Sequence, residues 1–170
     1  LRHMEELYKS IKNNAMYLMP VSITQPVQLA LIKFHEKYPE YEVQVSLKTK
    51  ETVLADETHL SEAIYNLLTN GYEAAVEAHE DQGKVELITY SERLYTVIEV
   101  RDNGKGLSKE KLGKIFDPFF TSKNTNYNWG MGLYYVKKII KGHLGSLRVE
   151  SIENEGTHMF ILLPKFSENT

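Results

Sequence analysis

The sequence predicts an α+β fold, a two-layer sandwich in which helices cover one face of a mixed, mostly antiparallel sheet. The strongest helical signal lies at residues 57–79, where apolar side chains recur at helical spacing and Asp56 can cap the N-terminus. Two pairs of alternating segments, within 85–101 and 147–163, are each interrupted by a short polar turn and predict β-hairpins.

Shorter elements complete the predicted order. Pro20 is expected to stop an N-terminal helix, and Gly142 with Gly145 to end the last one. Residues 102–129 are irregular and rich in Gly, Lys, Asn and Phe, which predicts a long loop. The remaining predicted elements are a helix over 5–18, a helix between Pro26 and Pro39, a strand over 41–47 and a helix over 130–141.

The composition limits the classes of function. The net charge of −3 gives no general attraction for nucleic acid or for an anionic membrane. The chain contains no cysteine, which excludes a disulfide framework and a zinc site built on thiolates. No stretch approaches the roughly 20 apolar residues that cross a bilayer. We therefore expect a cytoplasmic domain that contacts neither nucleic acid nor membrane.

A polar strip borders the apolar face of the 57–79 helix. Asn66 and Asn70 lie one turn apart on this strip, at about 100° per residue. An amide oxygen here could complete the octahedral shell of a magnesium ion held mainly by phosphates and water. An ordinary solvated helix face is the alternative. The strip consists of Glu62, Asn66, Asn70, Glu73 and Glu77.

A second motif, Asp102-x-Gly104-x-Gly106, follows the strand that is expected to end near residue 101. A buried carboxylate at this position could accept a hydrogen bond from an exocyclic amine. The two glycines would let the backbone approach a flat ligand closely. The same spacing also occurs in common turns.

A third motif, residues 115–123, concentrates phenylalanines in a loop that also carries Lys123. Apolar rings this dense suggest a lid that docks on a ligand, and the local excess of lysine suits a polyphosphate. The alternative is that the rings only pin the loop to the core.

The fourth motif is Gly130-Met131-Gly132-Leu133, which opens a predicted helix. Glycines at a helix N-terminus expose backbone N–H groups and place the positive end of the helix dipole near an anion.

Taken in order, the four motifs resemble the N, G1, F and G2 boxes of the histidine kinase ATP-binding domain, within the superfamily of gyrase, Hsp90, histidine kinases and MutL. The resemblance covers residues 20–164, including the closing turn Glu155-Gly156-Thr157. It implies a Bergerat-type fold that binds ATP and Mg²⁺. The γ-phosphoryl group would pass to a histidine on a separate dimerisation domain, with a response regulator downstream.

The resemblance also divides the chain. Residues 20–166 would form the ATP-binding catalytic domain, and 167–170 a tail. Residues 1–19 would combine a cloning-derived start with the end of a dimerisation helix. The full-length protein would be one that can be anchored in the cell membrane.

The resemblance further implies a role for each matching residue. Asn70 would bind magnesium and Asn66 would support the phosphates, so both count as catalytic. Asp102 would hold the adenine amino group. One departure is Asn128, where family members often carry glycine. The front of the phosphate loop would therefore be less flexible, or the lid would be arranged differently. The full set of expected ligand contacts is Asn66, Asn70, Glu73, Asp102, Gly104, Gly106, Phe119, Lys123, Gly130, Met131, Gly132, Leu133 and Thr157.

Asn66 separates the branches of this superfamily. In the hydrolysing branches, the residue at this position resembles a glutamate that activates water. An asparagine cannot act as a general base at neutral pH. The sequence therefore favours phosphoryl transfer to a protein over hydrolysis, and disfavours a DNA topology or repair ATPase. A serine kinase acting on an anti-sigma antagonist and a nucleotide-gated binding module without catalysis remain as alternatives.

Overall fold

A computed structural model of the chain describes residue 5 and residues 16–117 and 132–167. The helices are α1 (Thr24–Lys37), α2 (Glu57–His79), α3 (Lys109–Leu112) and α4 (Gly132–Gly142), with a 3₁₀ turn at Glu80–Gln82. The strands are β1 (Met19–Ser22), β2 (Gln44–Leu47), β3 (Thr52–Ala55), β4 (Val85–Ser91), β5 (Tyr95–Asp102), β6 (Ser146–Ile152) and β7 (Gly156–Pro164).

Within the described residues, the larger sheet has five strands in the order β2-β4-β5-β7-β6. β2 pairs with β4 in parallel, and the other pairs are antiparallel. Because β5 and β7 are adjacent, Asp102 at the end of β5 lies opposite Thr157 at the start of β7. A separate two-stranded sheet joins β1 to β3. The predicted α+β architecture is confirmed.

The core lies between the sheet and the helices, of which α2 packs against both α1 and α4. α2 begins where predicted, because an oxygen of Asp56 accepts a hydrogen bond from the backbone N–H of His59 at 3.1 Å. Each large apolar side chain buried here contributes about 1.5–3 kcal/mol relative to an exposed one. Fully buried members include Phe34, Leu60, Ile64, Leu67, Leu68, Leu87, Ile98, Ile139, Ile140, Ile161 and Leu163.

The structure also corrects several predicted elements. Residues 16–18, assigned to the N-terminal helix, have no regular secondary structure, and residues 6–15 of that helix lie outside the described part of the chain. The first strand of the large sheet begins at Gln44, not at residue 41, and Val45 on its expected inner face is 43% exposed. β1 and β3 were not predicted, because strands of four residues give no clear alternation.

α4 ends at Gly142, as predicted, but the left-handed conformation after it does not fall on a glycine. The left-handed residue after the helix is Leu144, with φ of 60°, and the helix closes through a bond from Gly145 N to Ile140 O at 3.0 Å. Gly145 is required for a different reason, since a Cβ there would lie 2.5 Å from the carbonyl oxygen of Leu162. The left-handed conformation therefore falls on a leucine, a residue type that rarely adopts it.

Candidate nucleotide-binding site

The polar strip of α2 holds the first group of candidate residues. Asn66, Asn70 and Glu73 are half-buried, as expected at the border of an apolar face. Asn66 donates its side-chain N–H to the carbonyl oxygen of Glu62 at 2.9 Å. This bond fixes the orientation of the Asn66 amide and directs its oxygen away from the helix carbonyl. Glu62 departs from the solvated strip, because it is only 5% exposed.

Asp102 forms a corner where β5 meets α2. A Cβ placed on Gly71 would lie 3.5 Å from the Cβ of Asp102, so the helix and the strand end are in close contact. Oδ1 of Asp102 accepts a hydrogen bond from the backbone N–H of Gly104 at 2.8 Å. The carboxylate was expected to be buried, but it is half-buried. The corner therefore presents an oriented acceptor beside the Asn-bearing helix.

Gly104 and Gly106 lie where neighbouring atoms come too close to admit a side chain. A Cβ on Gly104 would lie 2.8 Å from the Cβ of Ala74 in α2. Gly106 has a φ of 68°, and a Cβ there would lie 2.1 Å from the carbonyl oxygen of Ile152. The segment after Asp102 is thus wedged between α2 and the β6–β7 turn, where larger residues do not fit.

Hydrogen bonds from the β6–β7 hairpin hold this segment in place. The carbonyl oxygen of Lys105 accepts from the N–H of Asn154 at 2.6 Å, and Ser151 Oγ accepts from the N–H of Leu107 at 2.8 Å. Ser151 Oγ also lies 2.8 Å from Thr157 Oγ1, within hydrogen-bond distance. Sequence reasoning missed Ser151, because it sits at an unremarkable position of a predicted strand. Only the register of the hairpin places it beneath the loop.

The phosphate end is described only in part. Phe119, Lys123, Gly130 and Met131 lie outside the described residues. Gly132 begins α4, and a Cβ there would meet nothing within 4 Å, so space does not require a glycine. Leu133 is half-buried and packs against the core.

At the start of the Phe-rich motif, Ile115 is 2% exposed, and Phe116 packs on the core under Lys137, whose Nζ lies 4.9 Å from the ring centroid. At Phe116 the core-anchoring alternative is therefore correct.

The two helices of the site are joined at their far ends by His143. Its Nε2 accepts a hydrogen bond from the backbone N–H of Asp56 at 2.9 Å, and its Nδ1 lies 2.8 Å from the carbonyl oxygen of Ile139. An acceptor at Nε2 and a donor at Nδ1 define the neutral tautomer. Burial lowers the pKa of His143, although the hydrogen bonds to Ile139 and Asp56 oppose that shift.

Asp56 is also held from two further sides. Its carboxylate accepts from the backbone N–H of Tyr17 at 3.1 Å and lies 2.9 Å from Nδ1 of His59. Burial raises the pKa of Asp56, but the hydrogen bonds from His59 and Tyr17 outweigh it and hold that pKa below its usual range. The start of α2 is therefore fixed to residue 17 and to the end of α4.

Glu62 of α2 and Tyr135 of α4 are buried polar side chains. Glu62 forms an ion pair with Lys33 of α1. Tyr135 of α4 is 2% exposed, and its hydroxyl has no hydrogen-bond partner in the described part of the chain. Burial, followed by the charge of Glu62, raises the pKa of Tyr135 above its usual range. An unpaired buried hydroxyl costs about 1–3 kcal/mol.

The exposed lysines near the site have weak partners. Lys105 lies 3.6 Å from Glu77, and Lys114 lies 3.8 Å from Glu110, with all four side chains about half exposed or more. Such pairs contribute little to stability. Across 16–117 and 132–167, no three acidic or histidine side chains group together as a metal site. In the same ranges no helix is both long and apolar enough to span a membrane.

This geometry places the chain in a known class. The family of histidine kinase-, DNA gyrase B- and HSP90-like ATPases matches residues 55–167, and the chain belongs to that family. Its fold is that of sensor histidine kinase catalytic domains. A mycobacterial sensor histidine kinase, MprB, superposes with a TM-score of 0.72 and 27% identity, covering 86% of this chain and 97% of that one. The catalytic domain of the histidine kinase ThkA gives a TM-score of 0.71 and 26% identity, covering 87% of this chain and 95% of that one.

Curated relatives agree with this assignment. The chain is 38% identical over 120 residues to the sensor protein RprX of Bacteroides fragilis, which covers 68% of this chain and 23% of that protein. It is 30% identical over 167 residues to the sensor histidine kinase ZraS of Salmonella typhimurium, which covers 96% of this chain and 35% of that protein. The chain therefore spans about a quarter to a third of the length of these relatives.

Proposed function

We propose that this chain binds Mg-ATP between α2 and the Asp102 corner and transfers the γ-phosphoryl group to a histidine on a separate dimerisation domain. The observation that carries the proposal is the contact of the Asp102 corner with α2 at Gly71, one residue after Asn70. This contact supports a site in which Asp102 accepts from the base and Asn70 offers its amide to the metal from an adjoining surface. The chain belongs to an ATP-binding family.

Asp102 is assigned to the adenine amino group. A carboxylate can accept from several donors, and the backbone N–H of Gly104 donates to Oδ1 and orients the group beside α2. Gly104 and Gly106 shape the pocket by holding the loop against α2 and the β6–β7 turn. Thr157 faces the same corner from β7.

The metal and phosphate contacts are assigned to α2 and to the start of α4. Asn70 would ligate Mg²⁺ through its amide oxygen, while Asn66 and Glu73 border the phosphates. Mg²⁺ keeps several waters and bridges phosphate oxygens, which neutralises developing charge. Gly132 and Leu133 at the N-terminus of α4 would lie along the phosphates. The remaining assigned contacts are Phe119, Lys123, Gly130 and Met131.

The acceptor is assigned as histidine rather than water or serine. Asn66 carries no basic group, so activation of water at this position is not available. The relatives are named as sensor histidine kinases, which favours histidine over serine as the acceptor. We therefore infer that the chain is the cytoplasmic catalytic part of a longer kinase that signals to a response regulator. That longer kinase is one that can be anchored in the cell membrane.

Calorimetric titration with Mg-ATP and Mg-GTP tests the base assignment. A carboxylate that accepts from the adenine amine repels the guanine carbonyl, so ATP should bind about tenfold tighter or more. Asp102→Asn should abolish that preference. Asp81→Asn, which removes an exposed carboxylate from the 3₁₀ turn, is the matched control and should bind like the unmodified chain. Equal affinity for both nucleotides would contradict the assignment.

A further inference from the structure

Three polar side chains form one row across the end of the large sheet, on the face that the helices cover. The register places Asp102 of β5 opposite Thr157 of β7, and Thr157 opposite Ser151 of β6. On each strand, the residue two positions further in is part of the hydrophobic core or packs on it, so alternation directs the row to that same face. These inner neighbours are Val100, Met159 and Val149. Asp102 and Thr157 are assigned to the nucleotide, whereas Ser151 has no assigned role.

The hydroxyl of Ser151 has three contacts, which use all of its hydrogen-bonding capacity. A serine hydroxyl has one hydrogen to donate and two lone pairs that accept. The backbone N–H of Leu107 donates to Ser151 Oγ at 2.8 Å, and Ser151 Oγ donates to the carbonyl oxygen of Gly156 at 3.1 Å. Thr157 Oγ1 lies 2.8 Å from the same serine oxygen. Segment 102–107, β6 and β7 therefore meet at this hydroxyl.

These contacts determine the direction in which the Thr157 hydroxyl donates. Because Ser151 gives its single hydrogen to Gly156, its oxygen can only accept from Thr157. The hydrogen of Thr157 is therefore directed at Ser151, and the lone pairs of Thr157 Oγ1 are left to accept from another group. If the hydrogen pointed at the nucleotide instead, Thr157 would act as a donor there. Ser151 thus decides whether Thr157 offers a donor or an acceptor to the base.

Close packing holds Thr157 beside the Asp102 corner. A Cβ on Gly156, the residue before Thr157, would lie 2.0 Å from the carbonyl oxygen of Asp102, so β7 begins in direct contact with the end of β5. Two acceptors in one row suit the exocyclic amine of adenine, which carries two hydrogens. They disfavour the carbonyl oxygen that guanine carries in its place.

We propose that Ser151 is a positioning residue that makes Thr157 an acceptor for the 6-amino group of adenine, alongside Asp102. This inference rests on the proposed function and identifies a determinant of its base specificity. Ser151 acts through the hydroxyl of Thr157 rather than by contact with the nucleotide. Without the serine oxygen, the Thr157 hydroxyl can turn and donate, so the corner distinguishes an amine less sharply from a group without one.

Calorimetric titration with two nucleotides tests the proposal. One is Mg-ATP, and the other is the magnesium complex of purine riboside triphosphate, which has a hydrogen in place of the 6-amino group. The unmodified chain should bind ATP about tenfold tighter or more. Ser151→Ala should reduce this preference about fivefold by weakening ATP, since the amino group loses an oriented acceptor. A serine that only stabilises the hairpin would change the affinity for both nucleotides equally and leave the preference intact.

Three further variants locate the effect. Thr157→Val removes the hydroxyl but keeps the shape, and should reduce the preference to a similar extent. Because Ser151 acts through Thr157, adding Ser151→Ala to Thr157→Val should cause no further loss. Ser151→Thr keeps the hydroxyl on a residue type that suits a strand, and should keep the preference. Ser146→Ala is the matched control, because Ser146 is an exposed serine at the other end of β6, and it should bind both nucleotides like the unmodified chain.

The outcomes distinguish this inference from the proposed function. If the unmodified chain does not bind Mg-ATP, the proposed function is wrong and the inference falls with it. If the chain binds Mg-ATP and Ser151→Ala keeps the full preference for ATP, the proposed function stands and the positioning role is overturned. A further loss of preference in the double variant would also overturn it. If Ser151→Ala does not fold, an unchanged preference in Thr157→Val or a lost preference in Ser151→Thr overturns the proposal.

Discussion

At the scale of single residues, three glycines near Asp102 are constrained to different degrees by the atoms around them. A Cβ on Gly71 would meet Asp102 at an ordinary contact distance of 3.5 Å, whereas one on Gly104 would lie 2.8–2.9 Å from Ala74. Gly106 is constrained further by its φ of 68°. Composition cannot separate these cases, because each depends on what the fold places opposite the missing side chain.

Gly71→Ala should therefore stabilise the chain by about 0.5–1 kcal/mol, because alanine favours the helix and a methyl group fits the space. Gly104→Ala should destabilise it by about 1–3 kcal/mol, since the backbone of α2 cannot move aside. Urea unfolding of both variants measures the difference. A loss of stability in Gly71→Ala would show that the helix and the Asp102 corner are closer than described.

At the scale of elements, α2 and α4 are fixed to each other at the end remote from the ligand. His143 must be neutral to accept from Asp56 N and donate to Ile139 O. Because its pKa is lowered on folding, the unfolded chain binds more protons than the folded chain as the pH falls below about 6.5. Stability is therefore fully present above that pH and declines below it.

We expect His143→Gln to be less stable than the unmodified chain at pH 8, and to lose less stability between pH 7 and pH 5. The free energy of urea unfolding, measured across that range, tests this. His35→Gln, which changes an exposed histidine on α1, should keep the slope of the unmodified chain. The carboxylate of Asp56 and the ring of His59 face the same site, so the difference between variants, not the absolute slope, reports on His143. Identical slopes for all three proteins would contradict the assignment.

At the scale of the whole molecule, the proposed reaction requires a second domain, because the chain supplies the nucleotide site and no acceptor has been assigned within it. With Mg-ATP alone, phosphate release by the chain should be slow. Added dimerisation domain carrying the acceptor histidine should become phosphorylated, and Asn70→Ala should abolish this transfer. If the phosphoryl group on the added domain is lost in acid but retained in base, the modified residue is a phosphohistidine. Rapid phosphate release that Asn70→Ala abolishes would contradict the transferase proposal.

The order of the long elements of this protein follows from its amino-acid pattern. α2, the two hairpins and the last helix could be predicted because each repeats an apolar pattern over many residues. The order of the four motifs was enough to indicate an ATP-binding family. Short strands such as β1 and β3 were missed, because four residues carry too little periodicity.

Tertiary structure alone decided which of these residues meet. Ser151 beneath the Asp102 loop, the left-handed Leu144 and the burial of Glu62 all follow from contacts between segments far apart in the chain. Periodicity placed Glu62 on a polar strip, but the side chain is buried and forms an ion pair with Lys33 of α1. Local pattern reports the face of a helix, whereas burial depends on what packs against that face, and that is a property of the assembled fold.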